Sequence, residues 1–550
     1  MLKSLHAPRG MVTAPHHLAS QAGLSVLRDG GNAVEAMVAM ASTIAVAYPH
    51  MNALGGDGFW LVSDPAKGVF AIDACGRAGS AATMAFYRER GCEAIPSRGP
   101  LAANTVAGAV SGWIAALEAS GGCLPVSRLL ADAAWYARNG APVTGNQAAY
   151  TAKFQAELEG QPGFAHAYLT AGKPHAAGSL QRFPALASTL ERLSAAGLDD
   201  FYRGETGAAL AAELARLGSP VRAEDLRAHH AAVVKPLSVK VGAGQLFNMT
   251  PPTQGLASLM ILAIFDRIRG GARVDGFEHV HGLVEATKQA FLVRNRHLCD
   301  PATMKVDPWS FLADAALDER AAAIDPNRAR PWPEPPIKGD TVWMGAADAE
   351  GRMVSYIQSV YWEFGSGVVL ADTGVGWQNR GASFVLDPAS HLALAPGRKP
   401  FHTLNPALAR LADGRTMVYG NMGGDGQPQS QAAVFSRFAM FGDDLQVAVT
   451  KPRWLLGRTW GTMSVSLKVE SRLDEAVVAQ LRAAGHDVEL IEPFSDFVGH
   501  AGALVRDGAG VITGAADPRS DSLTSRWSWA ATARSAGRRT RASRPAPACR

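Results

Sequence analysis

The chain has 550 residues, 47% hydrophobic and 19% charged, a balance that excludes a disordered or fibrous protein and implies one large or two intimately packed units. Its longest apolar run, residues 36–48, is shorter than the roughly 20 residues of a membrane span, and the polar N-terminus lacks a signal-peptide core, so the expected compartment is the cytoplasm, away from membranes. The net charge of +4 misleads: seven arginines and no acid follow Asp521, so the remainder is mildly acidic, and no basic stripe points to nucleic acid.

Residues 18–28 and 33–47 have helical patterns separated by Asp29-Gly30-Gly31-Asn32, a helix stop followed by an Asn N-cap. The second helix is apolar nearly all round and is expected to be buried. A glycine turn, Leu54-Gly-Gly-Asp-Gly-Phe59, leads into a strand. Ala-rich helices dominate from about residue 106 to 217, and further helices are predicted up to Ile268 and over 277–295. Five scattered cysteines, Cys75, Cys92, Cys123, Cys299 and Cys549, never fall as CxxC and suggest neither disulfides nor zinc. The pair His279-Val-His281 does not share a helix face, so neither a metal nor a cofactor is expected.

Residues 324–340 are proline-rich and charged, unsuited to regular structure. A hairpin signature follows at once: a strand from Thr341 to Ala347, a turn at 348–351 and a return strand over 352–361. Mixed strands and turns continue beyond it, with helices predicted over 430–441 and 473–484. An irregular stretch running into a strand that begins with threonine invites a chemical reading. Cleavage between Asp340 and Thr341 would give Thr341 a free α-amine, whose unperturbed pKa of roughly 7.7–8.0 suits it to act as base to the adjacent hydroxyl. Gly339-Asp340-Thr341 alone is a very weak signal, better explained by an ordinary turn before a strand.

Longer motifs strengthen it. Gly30-Gly-Asn-Ala-Val-Glu-Ala-Met, Leu54-Gly-Gly-Asp-Gly-Phe59, Pro251-Pro-Thr-Gln-Gly255, the His-x-x-x-Glu-x-x-Lys helix at His281, Glu285 and Lys288, and Asp517-Pro-Arg519 resemble, in order, the motifs of the γ-glutamyltransferase superfamily. The resemblance covers roughly residues 10–521. It implies an α+β fold, the α-β-β-α sandwich of N-terminal-nucleophile hydrolases, with two antiparallel sheets between helical layers. It also implies a large subunit, residues 1–340, that stays associated with a small subunit, residues 341–521. A dimer of such heterodimers is compatible with it. Residues 522–550, an Arg/Ala/Ser mixture, fall beyond the family pattern and read as a disordered extension or the product of a frameshift.

Carried over residue by residue, the resemblance makes Thr341 the nucleophile, Ser359 the hydroxyl that bonds it, and Gly423 and Gly424 the paired amides of an oxyanion hole. Where glutathione-cleaving members hold an ammonium with Asn, Gln and Asp, this chain has Tyr361, Arg380 and Ser383. The acid that would pair an ammonium is missing and a cation, Arg380, has appeared, so the pocket should prefer an anion. His402 and Thr403 replace paired serines that contact a carboxylate. Cys75 stands where a clamping arginine is usual, leaving Arg77, two residues on, as its substitute. This pattern is similar to the oxamate-hydrolysing branch. It implies conversion of a small carboxylate-bearing amide, oxamate to oxalate and ammonia, in purine nitrogen salvage. The alternatives are a γ-glutamyl hydrolase or transferase acting on glutathione, a β-lactam side-chain acylase, and an unprocessed, non-catalytic binder of small acids.

Overall fold

The hairpin expected after the proline-rich segment forms the middle of a sheet. Strands Asp340–Asp348 and Met353–Tyr361 pair antiparallel, with Trp343 opposite Ile357 and Ala347 opposite Met353. This computed structural model describes residues 3–334, 339–457 and 465–527. Around the hairpin the sheet runs, edge to edge, Leu523–Arg526, Gly10–Ala14, Asp340–Asp348, Met353–Tyr361, Asp57–Asp64, Gly68–Ala74 and Ala232–Val234. A second antiparallel sheet runs Leu5–Ala7, Ile512–Ala516, Ala501–Arg506, Thr416–Asn421, Ala407–Leu411, Gly244–Asn248 and Leu237–Val241.

Strand alternation sorts the side chains into layers. Val342, Met344 and Ala346 turn outward into a core shared with helices His17–Arg28 and Ala33–Ala47. Trp343 and Ala347 turn inward, with Met11, Phe59, Leu61 and Ile357, against Phe247, Leu408, Val418 and Leu504 of the second sheet. Gly420 makes room for the indole, because a Cβ there would lie 2.1 Å from Trp343 Cδ1. Helices Gly255–Ile268, Phe277–His297 and Gly426–Phe435 cover the second sheet's outer face. The result is the expected α-β-β-α sandwich. Thr341 shares the parity of Trp343 and therefore stands at the end of the gap between the sheets.

Asn32 caps the buried helix as its sequence suggests. Its Oδ1 accepts from the N–H groups of Val34 and Glu35, and Glu35 Oε2 accepts from Asn32 N at 2.8 Å, a capping box. Asp348 adds a carboxylate at the same helix end through Ala33 N at 2.9 Å. Both sheets contain strands from before and after residue 340, so a cut there would leave two chains sharing one hydrogen-bonded core.

The end of the chain differs from expectation. Residues 523–526, assigned by sequence to a disordered tail, pair with Gly10–Ala14, Val12 lying opposite Ser525. Trp527 N donates to Gly10 O at 3.0 Å, and Arg9 lies over the Trp527 ring. An otherwise open sheet edge is thereby covered. Residues 528–550, the rest of the expected tail, lie outside the described residues. Among the described residues no helix is long and apolar enough to cross a membrane.

Candidate active site

Three strands of the first sheet end side by side at the gap. Ser359 pairs in register with Asp57, and the ladder bulges between Asp340 and Val342, beside Tyr361 and Gln358. Directly opposed residues share a face, so Asp57 and Ser359 turn together to the inter-sheet gap, as does Thr341 by its parity with Trp343. Two segments of the second sheet meet them there: His402-Thr403, before strand Ala407–Leu411, and Gly423-Gly424, after strand Thr416–Asn421.

Thr341 is fully buried, and its Oγ1 accepts from Gln427 Nε2 at 3.3 Å. Ser359 Oγ accepts from Tyr361 N at 2.7 Å, which helps hold Tyr361 at a φ of +86°. Gly424 donates its N–H to the carbonyl of Gly339 at 2.7 Å, and Gly423 has a φ of +95°. The segment before Thr341 thus lies against the glycine pair. On its other side is Thr403: a Cβ built on Gly339 would stand 2.9 Å from Thr403 Oγ1 and 3.2 Å from Gly424 Cα.

Arg380 enters from the short helix Arg380–Ser383. Its guanidinium lies 3.7 Å over the Tyr361 ring and is 3.4 Å from Thr403 Oγ1 through Nη1. The side chain is fully buried, yet Nε and Nη2 have no hydrogen-bond partner among the described residues. Burial pulls its pKa down to about 10, and an arginine remains charged at that value. A buried cation with open donors is costly unless an anion completes it.

Asp57 is the least anticipated member. Oδ1 accepts from Gly76 N at 2.9 Å, Gly108 N at 3.0 Å and Gln378 Nε2 at 3.0 Å, while Oδ2 lies 3.0 Å from His402 Nε2. Gly108 must be glycine for this approach, since a Cβ would fall 1.8 Å from Ala74 O. Burial raises the Asp57 pKa to about 6 against the lowering effect of these bonds and Arg380. His402 is held neutral, by burial first and then by Arg380 and Lys399. Asp57, Cys75 and His402 bring donor atoms within 4.8 Å of one another. Asp57 and His402 are nevertheless engaged with each other, and two cations stand nearby, an environment unfavourable to a metal ion.

Behind the site runs a buried polar lattice. Gln254 Nε2 donates to Thr403 O at 2.8 Å and Gly424 O at 2.7 Å, tying the two second-sheet segments together. Arg294 Nη1 holds Gln254 Oε1 at 2.9 Å and Asp425 Oδ1 at 2.6 Å. The Pro251-Pro252 turn continues the lattice, Pro252 O accepting from His402 N at 2.8 Å.

Two residues nominated by sequence stand elsewhere or are otherwise engaged. Arg77 is half-exposed, donates to Gly397 O at 2.9 Å and lies 4.0 Å from Asp300; the buried guanidinium is that of Arg380. Ser383 Oγ donates to Arg380 O and Phe401 O, bracing the turn that carries Arg380. Gln427, Arg294 and Asp57 lay within or near recognised motifs but drew no role, because their partners are distant in sequence. His279 and His281 diverge as expected: His279 bonds Ser436, while His281 meets His486 at 2.9 Å and Asp325 O at 2.8 Å. Glu285 joins that second group within metal-ligand range, but its carboxylate pairs with Lys288 and Arg330 N. These contacts secure the segment leading towards residue 340.

The family model described as gamma-glutamyltranspeptidase matches residues 19–527. The chain is 56% identical over 516 residues to the oxamate amidohydrolase proenzyme of Klebsiella pneumoniae, covering 93% of this chain and 97% of that protein. It is 37% identical to the glutathione hydrolase-like YwrD proenzyme of Bacillus subtilis, covering 95% and 99% respectively. Among solved structures, cephalosporin acylase from Bacillus halodurans superposes with a TM-score of 0.87 at 31% identity, covering 96% of this chain and 98% of that one. The chain belongs to the gamma-glutamyltranspeptidase family, within the N-terminal-nucleophile amidohydrolases.

Proposed function

We propose that the protein cuts itself between Asp340 and Thr341 and then hydrolyses a small carboxylate-bearing amide, oxamate, to oxalate and ammonia. The observation that carries this reading is Arg380, a buried guanidinium with two donor nitrogens that have no partner among the described residues, beside Thr403 and the segment before Thr341. A carboxylate satisfies it; the ammonium of a γ-glutamyl group would be repelled. Similarity to the Klebsiella oxamate amidohydrolase proenzyme supports the same substrate.

In this mechanism Thr341 Oγ attacks the Asp340 carbonyl, and rearrangement with hydrolysis exposes the Thr341 amine. That amine then takes the hydroxyl proton as Oγ attacks the substrate amide. The N–H groups of Gly423 and Gly424 stabilise the oxyanion, Ser359 and Gln427 orient the nucleophile, and Arg380 with Tyr361 and Thr403 receives the carboxylate. Ammonia leaves with a proton returned from the amine, and water releases oxalate from the acyl-enzyme. The two fragments act as one unit in the cytoplasm. Purified protein should release ammonia and oxalate from oxamate much faster than glutamate from glutathione; the reverse preference would overturn the proposal.

A further inference from the structure

Resting on that reading, we infer that Asp57 and His402 form a specificity device in which Asp57 sets the tautomer of His402 so that Nδ1 accepts an N–H of a primary amide. Four groups surround the Asp57 carboxylate, three of them N–H donors to Oδ1. That pattern fits an ionised acid, which has no proton to give. With Asp57 ionised, the fourth group, His402 Nε2 at 3.0 Å from Oδ2, is the donor and carries the ring hydrogen. A second proton on the ring would place another cation beside Arg380. His402 is consequently neutral, with a lone pair on Nδ1.

That nitrogen is fully buried and has no partner among the described residues. Phe59 packs edge-on at 4.7 Å and supplies no hydrogen bond donor there. Among the described residues of the site, His402 Nδ1 is an open acceptor and Arg380 Nε and Nη2 are open donors. A carboxylate alone answers only the second. A carboxylate carrying a primary amide answers both, its amide donating to His402 while its anion meets Arg380. Oxamate and oxalate differ in this respect: they are similar in size, but oxalate has no N–H. His402 would thereby favour substrate over product, with Asp57 as its positioning residue.

Asp57→Asn tests the idea by inverting the device. The asparagine oxygen can still accept from Gly76, Gly108 and Gln378, while its amide N–H faces His402 Nε2 and moves the ring hydrogen to Nδ1. We expect kcat/KM for oxamate to fall roughly 10- to 100-fold, as for an unmet buried hydrogen bond, while inhibition by oxalate is retained or strengthened. Intact mass and thermal melting report whether the variant has matured and folded. His402→Phe, which removes the acceptor without supplying a donor, should lower oxamate turnover without the gain for oxalate. In the wild-type protein, 15N-edited histidine spectra should show His402 protonated at Nε2. A proton on Nδ1, or equal loss of oxamate and oxalate in Asp57→Asn, overturns the inference. Failure of the underlying reading looks different: wild-type protein would release no ammonia from oxamate, and this inference would fall with it.

Discussion

The Gly424 N–H donates to the Gly339 carbonyl at 2.7 Å, so in the uncut chain an amide suited to hold an oxyanion is already occupied by the segment due to be cut. Processing would both create the amine and free this donor. Thr341→Ala should therefore run as one uncut chain with no measurable ammonia release, and Thr341→Ser should mature slowly. Intact-mass spectrometry reads both; a Thr341→Ala protein that splits between residues 340 and 341 would contradict the assignment.

Arg380 should trade stability for binding. Arg380→Met removes an incompletely bonded buried cation, so its melting temperature should hold or rise. The KM for oxamate should increase on the order of 10- to 100-fold with the loss of charge-assisted bonds. Calorimetric melting and steady-state kinetics check the two halves separately.

Gln427 Nε2 donates to Thr341 Oγ1, the proposed nucleophile, at 3.3 Å. Gln427→Leu should lower kcat by roughly 5- to 10-fold, as for one neutral hydrogen bond, with KM little changed. A large rise in KM at constant kcat would instead place Gln427 on the substrate.

Activity should have an acid limb near pH 6. Burial raises the Asp57 pKa to about 6, with Arg380 and His229 opposing it and His402 and Cys75 adjacent. Below that pH the protonated acid no longer holds His402 in its active tautomer. The stability contribution runs the other way. A raised carboxyl pKa favours folding most below about 3.9 and loses that benefit as pH rises through about 6. In Asp57→Asn the acid limb should disappear from the pH–rate profile.

Asp517 should dominate acid sensitivity of the fold. Burial alone would raise its pKa, but Arg453 and Arg519 hold it far below the usual range, with Arg453 Nη2 at 2.6 Å and Arg519 Nη1 at 3.0 Å. Its contribution is present above about pH 4 and is lost as pH falls towards the depressed folded value. Asp517→Asn, measured by denaturant unfolding at pH 7, should cost about 3–5 kcal/mol by leaving buried Arg453 without its carboxylate, whereas Arg519 keeps Glu470.

Much of the scaffold was legible because its signals are local. The Asn32 cap, the buried helix Ala33–Ala47 and the hairpin from Thr341 to Tyr361 each follow from neighbours within a few residues. The tail was misjudged at 523–526, since an arginine-rich composition conceals a short strand whose partner, Gly10–Ala14, lies some 500 residues away. Arg77 was favoured over its actual surroundings because it sits near a motif position in the chain.

Residue order by itself determined the family, the layered architecture and Thr341 as the position to question, because periodicity, caps and ordered motifs are properties of short segments. Only the tertiary structure decided that Arg380 is the buried cation, that Gln427 reaches Thr341 and that Asp57 faces His402. Those relationships depend on which strand ends meet across the gap between two sheets. Burial there, by removing water, turns ordinary polar side chains into groups that require a partner.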